Sequence, residues 1–294
     1  MLFKLTKMTF SKKLVTLSLG ALALFSCGGE KDHESHHEGM DSTHAVAKDT
    51  SAYNVSDSTK FKFDFAIANI PSPASTLQDM FAYGLPYNNS FLNDLKNATT
   101  YTTEHKRSIN LGIYNIDMAY AMVYEKGEDV LRYMKDVLVI SDALGLKNAV
   151  SLMVGKRAEA NLNNKDSLFV ILDEIFVKSD SYLRTNERVY TAGTVFAGSW
   201  LESLYLNCKI AEQLTDEKLK MKAMTHLWEQ RFHLGNLINL LGDYKDKKDC
   251  AELISKLSPI HAEIVSVKQP SELTNDKFKS ISGKIYDLRA MLTK

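Results

Sequence analysis

The sequence predicts an all-α fold, an irregular stack of antiparallel helical hairpins, on three observations. Apolar residues recur at spacings of three and four from about Ser75 to Leu292, the period of helices buried on one side. Glycine or polar breaks, among them Gly127, Gly145, Asn163-Asn164 and Thr215-Asp216, cut that pattern into segments of helical length. The breaks are short, and short connections make successive helices antiparallel neighbours.

Residues 1–13 carry Lys4, Lys7, Lys12 and Lys13 and no acid, and the apolar run Leu14–Phe25 follows, the order of a secretory signal. The run is too short to span a bilayer, which takes about 20 apolar residues. It closes on Leu24-Phe25-Ser26-Cys27, followed by Gly28, and this resembles the lipobox of bacterial lipoproteins. The resemblance implies removal of residues 1–26, acylation of Cys27 and attachment to a membrane through it. Glycine after the cysteine is similar to lipoproteins sent to the outer membrane, held at its periplasmic face or at the cell surface. Glu30, Asp32 and Glu34 resemble the acid-rich export tags of surface lipoproteins in Bacteroidota.

From Cys27 to residue 60 the chain has few large apolar side chains, so it is expected to be a flexible tether rather than part of a core. Within it His33, His36, His37 and His44 alternate with Asp32, Glu34, Glu38 and Asp41, and Met40 adds a soft donor. Neutral imidazoles at such spacings suit copper, zinc or nickel, although His-rich solvated tails bind these metals weakly whatever their role.

Residues 61–294 read as a single helical domain. Phe61, Phe63, Phe65 and Ile67 alternate with polar or small residues, which predicts a short extended segment stopped by Pro71 and Pro73. Short helices are expected over Ser75–Tyr83 and Ser90–Ala98, separated by the turn at residues 84–89. Ile109, Ile113, Ile116, Tyr120 and Val123 define a longer helix ended by Gly127, and Asp129–Leu144 is another, with Gly145 as terminator. Further helices are expected over Asn148–Leu162, Asp166–Arg184, Glu187–Leu214, Asp216–Asp243, Lys248–Val267 and Asn275–Leu292. Asn164 and Asp216 are placed as N-caps. Glu187–Leu214 is the expected central helix, and its Ala192, Gly193, Ala197 and Gly198 allow a neighbour to approach closely.

Residues 110–146, two helices around a glycine turn with several tyrosines, are similar to a tetratricopeptide unit. No period repeats elsewhere, so a tetratricopeptide-like α-solenoid is the minority reading. Ala68-Asn-Ile-Pro-Ser-Pro73, Pro86-Tyr-Asn88, Leu92-Asn93, Tyr101 and Asn110-Leu-Gly-Ile-Tyr-Asn-Ile-Asp-Met-Ala-Tyr120 together resemble a group of uncharacterised all-helical lipoproteins of Bacteroidota. That resemblance covers roughly residues 68–146 and implies location and fold but no activity.

Charge and cysteine content narrow the function classes. The chain has 36 basic and 36 acidic residues, and loss of the four N-terminal lysines leaves 32 basic, so a nucleic-acid partner, which needs a basic face, is disfavoured. With Cys27 acylated, Cys208 and Cys250 remain. A predicted helix of about 26 residues, roughly 39 Å, separates them, so both are expected to be buried thiols rather than a bridge.

Two clusters are candidates for chemistry. Asp117 shares a semi-apolar helix side with Tyr114, Tyr120 and Tyr124, as a raised-pKa acid, a ligand-facing group or a structural acceptor; the structural reading is preferred. His226, Glu229 and His233 fall at i, i+3 and i+7 and would make half of a metal site. No facing helix repeats the motif, so a solvated face is preferred.

No nucleophile elbow, phosphate loop, dinucleotide glycine motif or zincin helix occurs in the sequence. The expected function is therefore a membrane-anchored, non-catalytic binding or scaffold module with a protein partner in the envelope. The alternatives are metal handling by the histidine tail and a small-ligand receptor at Asp117 and its tyrosines.

Overall fold

The computed structural model describes residues 57–68, 73–146, 152–161, 164–186 and 188–294; its regular structure is helical, with no strand among the described residues. The expected all-α class holds. Several elements nevertheless differ from their sequence reading, each for a physical reason.

Residues 61–68 are not extended but belong to α1 (Asp57–Ala68), which also takes in four residues assigned to the tether. A lone extended segment leaves its backbone donors and acceptors unpaired, whereas a helix satisfies them internally. Thr59 and Phe63, four apart, are both buried, and Thr59 Oγ1 and Lys62 Nζ bond the two carboxylate oxygens of Asp243 at 2.6 Å each. α2 (Pro73–Phe81) follows, proline taking a first-turn position where its missing N–H costs nothing.

Ser90–Ala98 is not one helix either. Two 3-10 turns, Asn89–Phe91 and Leu95–Thr99, are opened by Asn88 and Asp94, whose side chains accept from Ser90 N and Lys96 N. Such local side-chain bonds compete with helix propagation, and two within seven residues keep the backbone irregular.

α3 (Glu104–Val123) does not end at Gly127. The left-handed position is Glu125, at φ 56°, with Glu125 N bonded to Met122 O and Lys126 N to Ala121 O. A side chain there costs about 1 kcal/mol relative to glycine. Gly127 instead opens α4 (Gly127–Ala143), which ends as expected on Gly145 at φ 74°, Leu146 N reaching back to Ser141 O.

The described part of the next helix, α5 (Leu152–Glu159), precedes α6 (Lys165–Thr185), where Asn164 Oδ1 caps Ser167 N as expected. α7 (Val189–Gln213) leads to a helix that the sequence reads as continuous but that breaks at Gln230 into α8 (Glu217–Glu229) and α9 (Arg231–Gly242). The bond ladder shortens there, Gln230 N pairing with Leu227 O, and the guanidinium of Arg231 donates to the freed Trp228 carbonyl at 3.0 Å. Asp216 caps α8 through Lys218 N and Leu219 N. α10 (Lys248–Ser266) and α11 (Asn275–Leu292) complete the chain.

The centre is shared by α7, as expected, and α3, in which every residue from Ser108 to Val123 is buried. The two meet backbone to backbone: a Cβ on Gly198 would lie 2.0 Å from Ile109 O, and one on Gly112 would lie 2.0 Å from Val195 O. Hydroxyls complete the seam, Thr194 Oγ1 donating to Ser108 Oγ at 2.6 Å and Ser199 Oγ to Gly112 O at 3.3 Å. α2, α4, α6 and α11 pack on α3, and α1, α2, α6, α8, α9 and α11 on α7. Cys208 and Cys250 are free and buried, and burial pushes the Cys250 thiol up to about 11.

Candidate functional site

The polar side chains of α3 are best understood through the irregular segment that covers them. Residues 88–94 lie against α3 and α4 with backbone groups that no regular ladder satisfies, and a buried N–H or C=O without a partner is costly. Asp117, fully buried, receives Asn93 N at 3.0 Å and Asn93 Nδ2 at 2.9 Å, both on Oδ2. Tyr133 of α4 donates to Asn93 O at 2.6 Å, and Tyr114 donates to Asp94 O at 2.8 Å. Asn88 N donates to the Tyr120 hydroxyl at 3.3 Å. These side chains replace the missing ladder one group at a time.

Two residues complete the network from other helices. Arg289 of α11 forks onto Glu202 of α7, Nε to Oε2 and Nη2 to Oε1, both at 2.9 Å, and Nη2 also reaches Phe91 O at 3.1 Å. Glu202 is entirely buried, and the guanidinium lies 4.0 Å from the centre of the Tyr205 ring. Neither residue is among the sequence candidates. A signal for one existed, because Glu202 is the only charged residue between Val189 and Cys208, and a lone charge in an apolar helix needs a partner.

Burial, and then the neighbouring Glu202 carboxylate, push the Asp117 carboxyl well above its usual range, against the opposing pull of Arg289 and the Asn93 bonds. Oδ1 has no hydrogen-bond partner, so no donor there stabilises the charged form. Native Asp117 thus keeps a proton that the unfolded chain releases at about pH 4, and its contribution to stability falls as pH rises from there through the folded pKa. Asp117→Asn, which stays neutral, is expected to lack that fall. Urea midpoints should show a variant-minus-wild-type difference that grows with pH over this window; a difference independent of pH would mean that the carboxyl ionises normally.

The tyrosines do not ring Asp117 as a pocket. Tyr114 packs with Tyr101 and Tyr133, whereas Tyr120 and Tyr124 pack with Tyr87, and Phe81 meets Tyr124 edge-on at 5.2 Å. Of the sequence readings of Asp117, the structural acceptor is what the geometry supports, with Asn93 rather than tyrosine hydroxyls as its donor.

His226 and Glu229 end up on α8 and His233 on α9, beyond the break, which changes the helical phase between them. No three His, Cys, Asp or Glu side chains among the described residues are gathered so as to hold a metal ion, so these three do not form the half-site their spacing suggests. Nor is His226 on a solvated face: it is half-buried in a crevice of about 160 Å³ between α2, α7 and α8, and burial lowers its pKa. A second crevice, of about 250 Å³, lies between α1, α6 and α7, with Asp64 and Arg184 paired across it at 2.6 Å. Asp117 lines neither. Cys27, His33, His36, His37 and His44 lie outside the described residues.

The fold and its polar network therefore define an all-α protein whose buried ionisable groups hold an irregular segment in place. No protein-family model, curated protein or solved structure matches the chain.

Proposed function

We propose that the chain is a lipid-anchored, non-catalytic binding or scaffold module of the bacterial cell envelope, held at the outer membrane. The observation that carries this reading is Leu24-Phe25-Ser26-Cys27 at the end of an uncharged run that follows four lysines. Each acyl methylene buried in lipid contributes about 0.8 kcal/mol, so more than one chain on Cys27 holds a protein firmly. In the helical body Asp117, Glu202 and Arg289 are committed to internal partners, so a non-catalytic reading assigns them to structure.

Cys27→Ala is expected to abolish incorporation of labelled palmitate and to release the protein from the membrane fraction. A wild-type chain that takes up no label would overturn the anchor. Partner capture from detergent-solubilised membranes tests the scaffold role, which fails if the intact anchored protein retains none.

Metal handling is the second reading, favoured by the interleaving of His33, His36, His37 and His44 with carboxylates. It requires copper, zinc or nickel to bind the full chain more tightly than about micromolar, roughly −8 kcal/mol.

A further inference from the structure

We propose that Trp228, Arg231 and Phe232, gathered at the break between α8 and α9, form a docking surface for an acidic segment of a protein partner. Such docking rests on the binding or scaffold reading above and names the surface and the chemistry through which the partner is met.

The break itself uses one edge of the arginine. Arg231 Nη1 donates to Trp228 O at 3.0 Å, and the guanidinium carbon lies 3.3 Å from the centre of the Trp228 ring and 4.1 Å from that of Phe232. Trp228 is fixed in turn, its Nε1 donating to Val267 O at 2.8 Å. The chain therefore holds this guanidinium in one orientation by stacking and a single carbonyl bond. The other edge, Nε and Nη2, makes no hydrogen bond to a described residue, and no carboxylate among the described residues pairs with it. Neither nitrogen is among the buried atoms that lack a partner, so both face solvent.

Arg289 shows what that edge does when it is used. Its Nε and Nη2 take the two oxygens of Glu202 at 2.9 Å each. Arg231 presents the same fork outward, already oriented, and a carboxylate matches it with two parallel bonds. Apolar surface lies alongside. Phe232 is 64% exposed, and Val265 of α10, one turn beyond the His261 that bonds Arg231 O, is 42% exposed. A single exposed apolar side chain is ordinary. Two of them around a fixed guanidinium and a half-buried tryptophan make up the aromatic and arginine composition of interface centres.

Charge selects the partner. One guanidinium without a counter-ion matches a single carboxylate, whereas exposed Glu229, next to Trp228, opposes the dense negative charge of a lipid surface. An aspartate or glutamate flanked by an apolar side chain supplies both acceptors and covers Phe232. A wholly apolar segment would cover the fork and leave its donors unpaired, which is costly.

The test selects random dodecapeptides displayed on phage against the detergent-solubilised full chain, with Arg231→Gln as counter-selection. Enriched peptides are expected to carry an acidic residue within a few positions of an aromatic or aliphatic one. Measured by fluorescence anisotropy, their binding should weaken about tenfold or more in Arg231→Gln and severalfold in Phe232→Ser. Arg231→Lys, which keeps the charge but not the fork, should not restore it. Phe232→Ser changes an exposed position and decides the matter if the arginine variants do not fold. No peptide enriched over the counter-selection, peptides without acids, or full binding in Phe232→Ser would each overturn the proposal. So would vesicles of phosphatidylglycerol binding the chain in an Arg231-dependent way, which would make the occupant a lipid surface, or self-association lost in Arg231→Gln, which would make it a second copy. A partner captured from solubilised membranes equally well by wild type and Arg231→Gln would leave the scaffold role standing and refute this surface alone.

Discussion

Replacing Gly198 by alanine is expected to destabilise the protein by about 3 kcal/mol or more, at the upper end of what overpacking costs. The added Cβ would lie 2.0 Å from Ile109 O and 2.9 Å from its carbonyl carbon. Nothing in that contact is the free end of a side chain, so α3 and α7 must separate along a seam whose hydroxyl bonds depend on the close approach. Gly112→Ala meets Val195 O at 2.0 Å and Ser199 N at 2.6 Å, and should cost about as much. Two controls isolate the cause. At Gly193 the nearest atom is Leu240 Cδ2 at 3.4 Å, an ordinary contact, and Gly283 has nothing within 4 Å. Gly193→Ala should therefore be nearly neutral, and Gly283→Ala, inside α11, should stabilise by about 1 kcal/mol through helix propensity. Urea unfolding of the four variants checks the order, and Gly198→Ala behaving like Gly283→Ala would refute the close approach of α3 and α7.

That seam was half legible in the chain. Gly198 stands among small residues of an otherwise apolar helix, and its use as a close-approach point is readable from spacing alone. Gly112 carries the same chemistry, but it lies in a helix where the tyrosines and Asp117 dominate the pattern. Fold class and most helix limits were readable because the 3.6-residue period persists from Ser75 onward, and Asn164 and Asp216 cap helices where their side chains allow.

Other features fail to print themselves locally. The break at Gln230 is invisible because Leu227, Leu234, Leu237 and Leu241 keep helical spacing through it. The alternation over residues 61–68 fits a strand by period, yet Thr59 and Phe63 fit one helical face equally well, and backbone satisfaction decides between them. The partners of Asp117 were unreadable for a different reason. Asn93 comes from an irregular segment 24 positions earlier, and Arg289 meets Glu202 across 87 positions. A sequence shows that a buried charge needs a partner, but only the tertiary fold says which one.

Arg289 therefore carries the second large effect. Arg289→Met is expected to cost about 3–5 kcal/mol, because it leaves the fully buried Glu202 carboxylate without its cation. It also removes the donor to Phe91 O, so the penalty should appear locally: the Asn93 N–H, held by Asp117, should exchange with solvent faster than amides at the α3–α7 seam. Arg289→Lys keeps the charge but not the two-pronged geometry, and should fall between wild type and the methionine variant. The decisive measurement is the double variant Glu202→Leu with Arg289→Met. Removing both charges removes the uncompensated carboxylate, so the double variant should be more stable than Arg289→Met alone, by about 2 kcal/mol or more. If the two substitutions simply add, the pair is not coupled, and the network would have to be held by the Asp117–Asn93 bonds alone. If they couple as expected, an ion pair between α7 and α11 and the buried Asp117 carboxyl on α3 together fix segment 88–94 over the core.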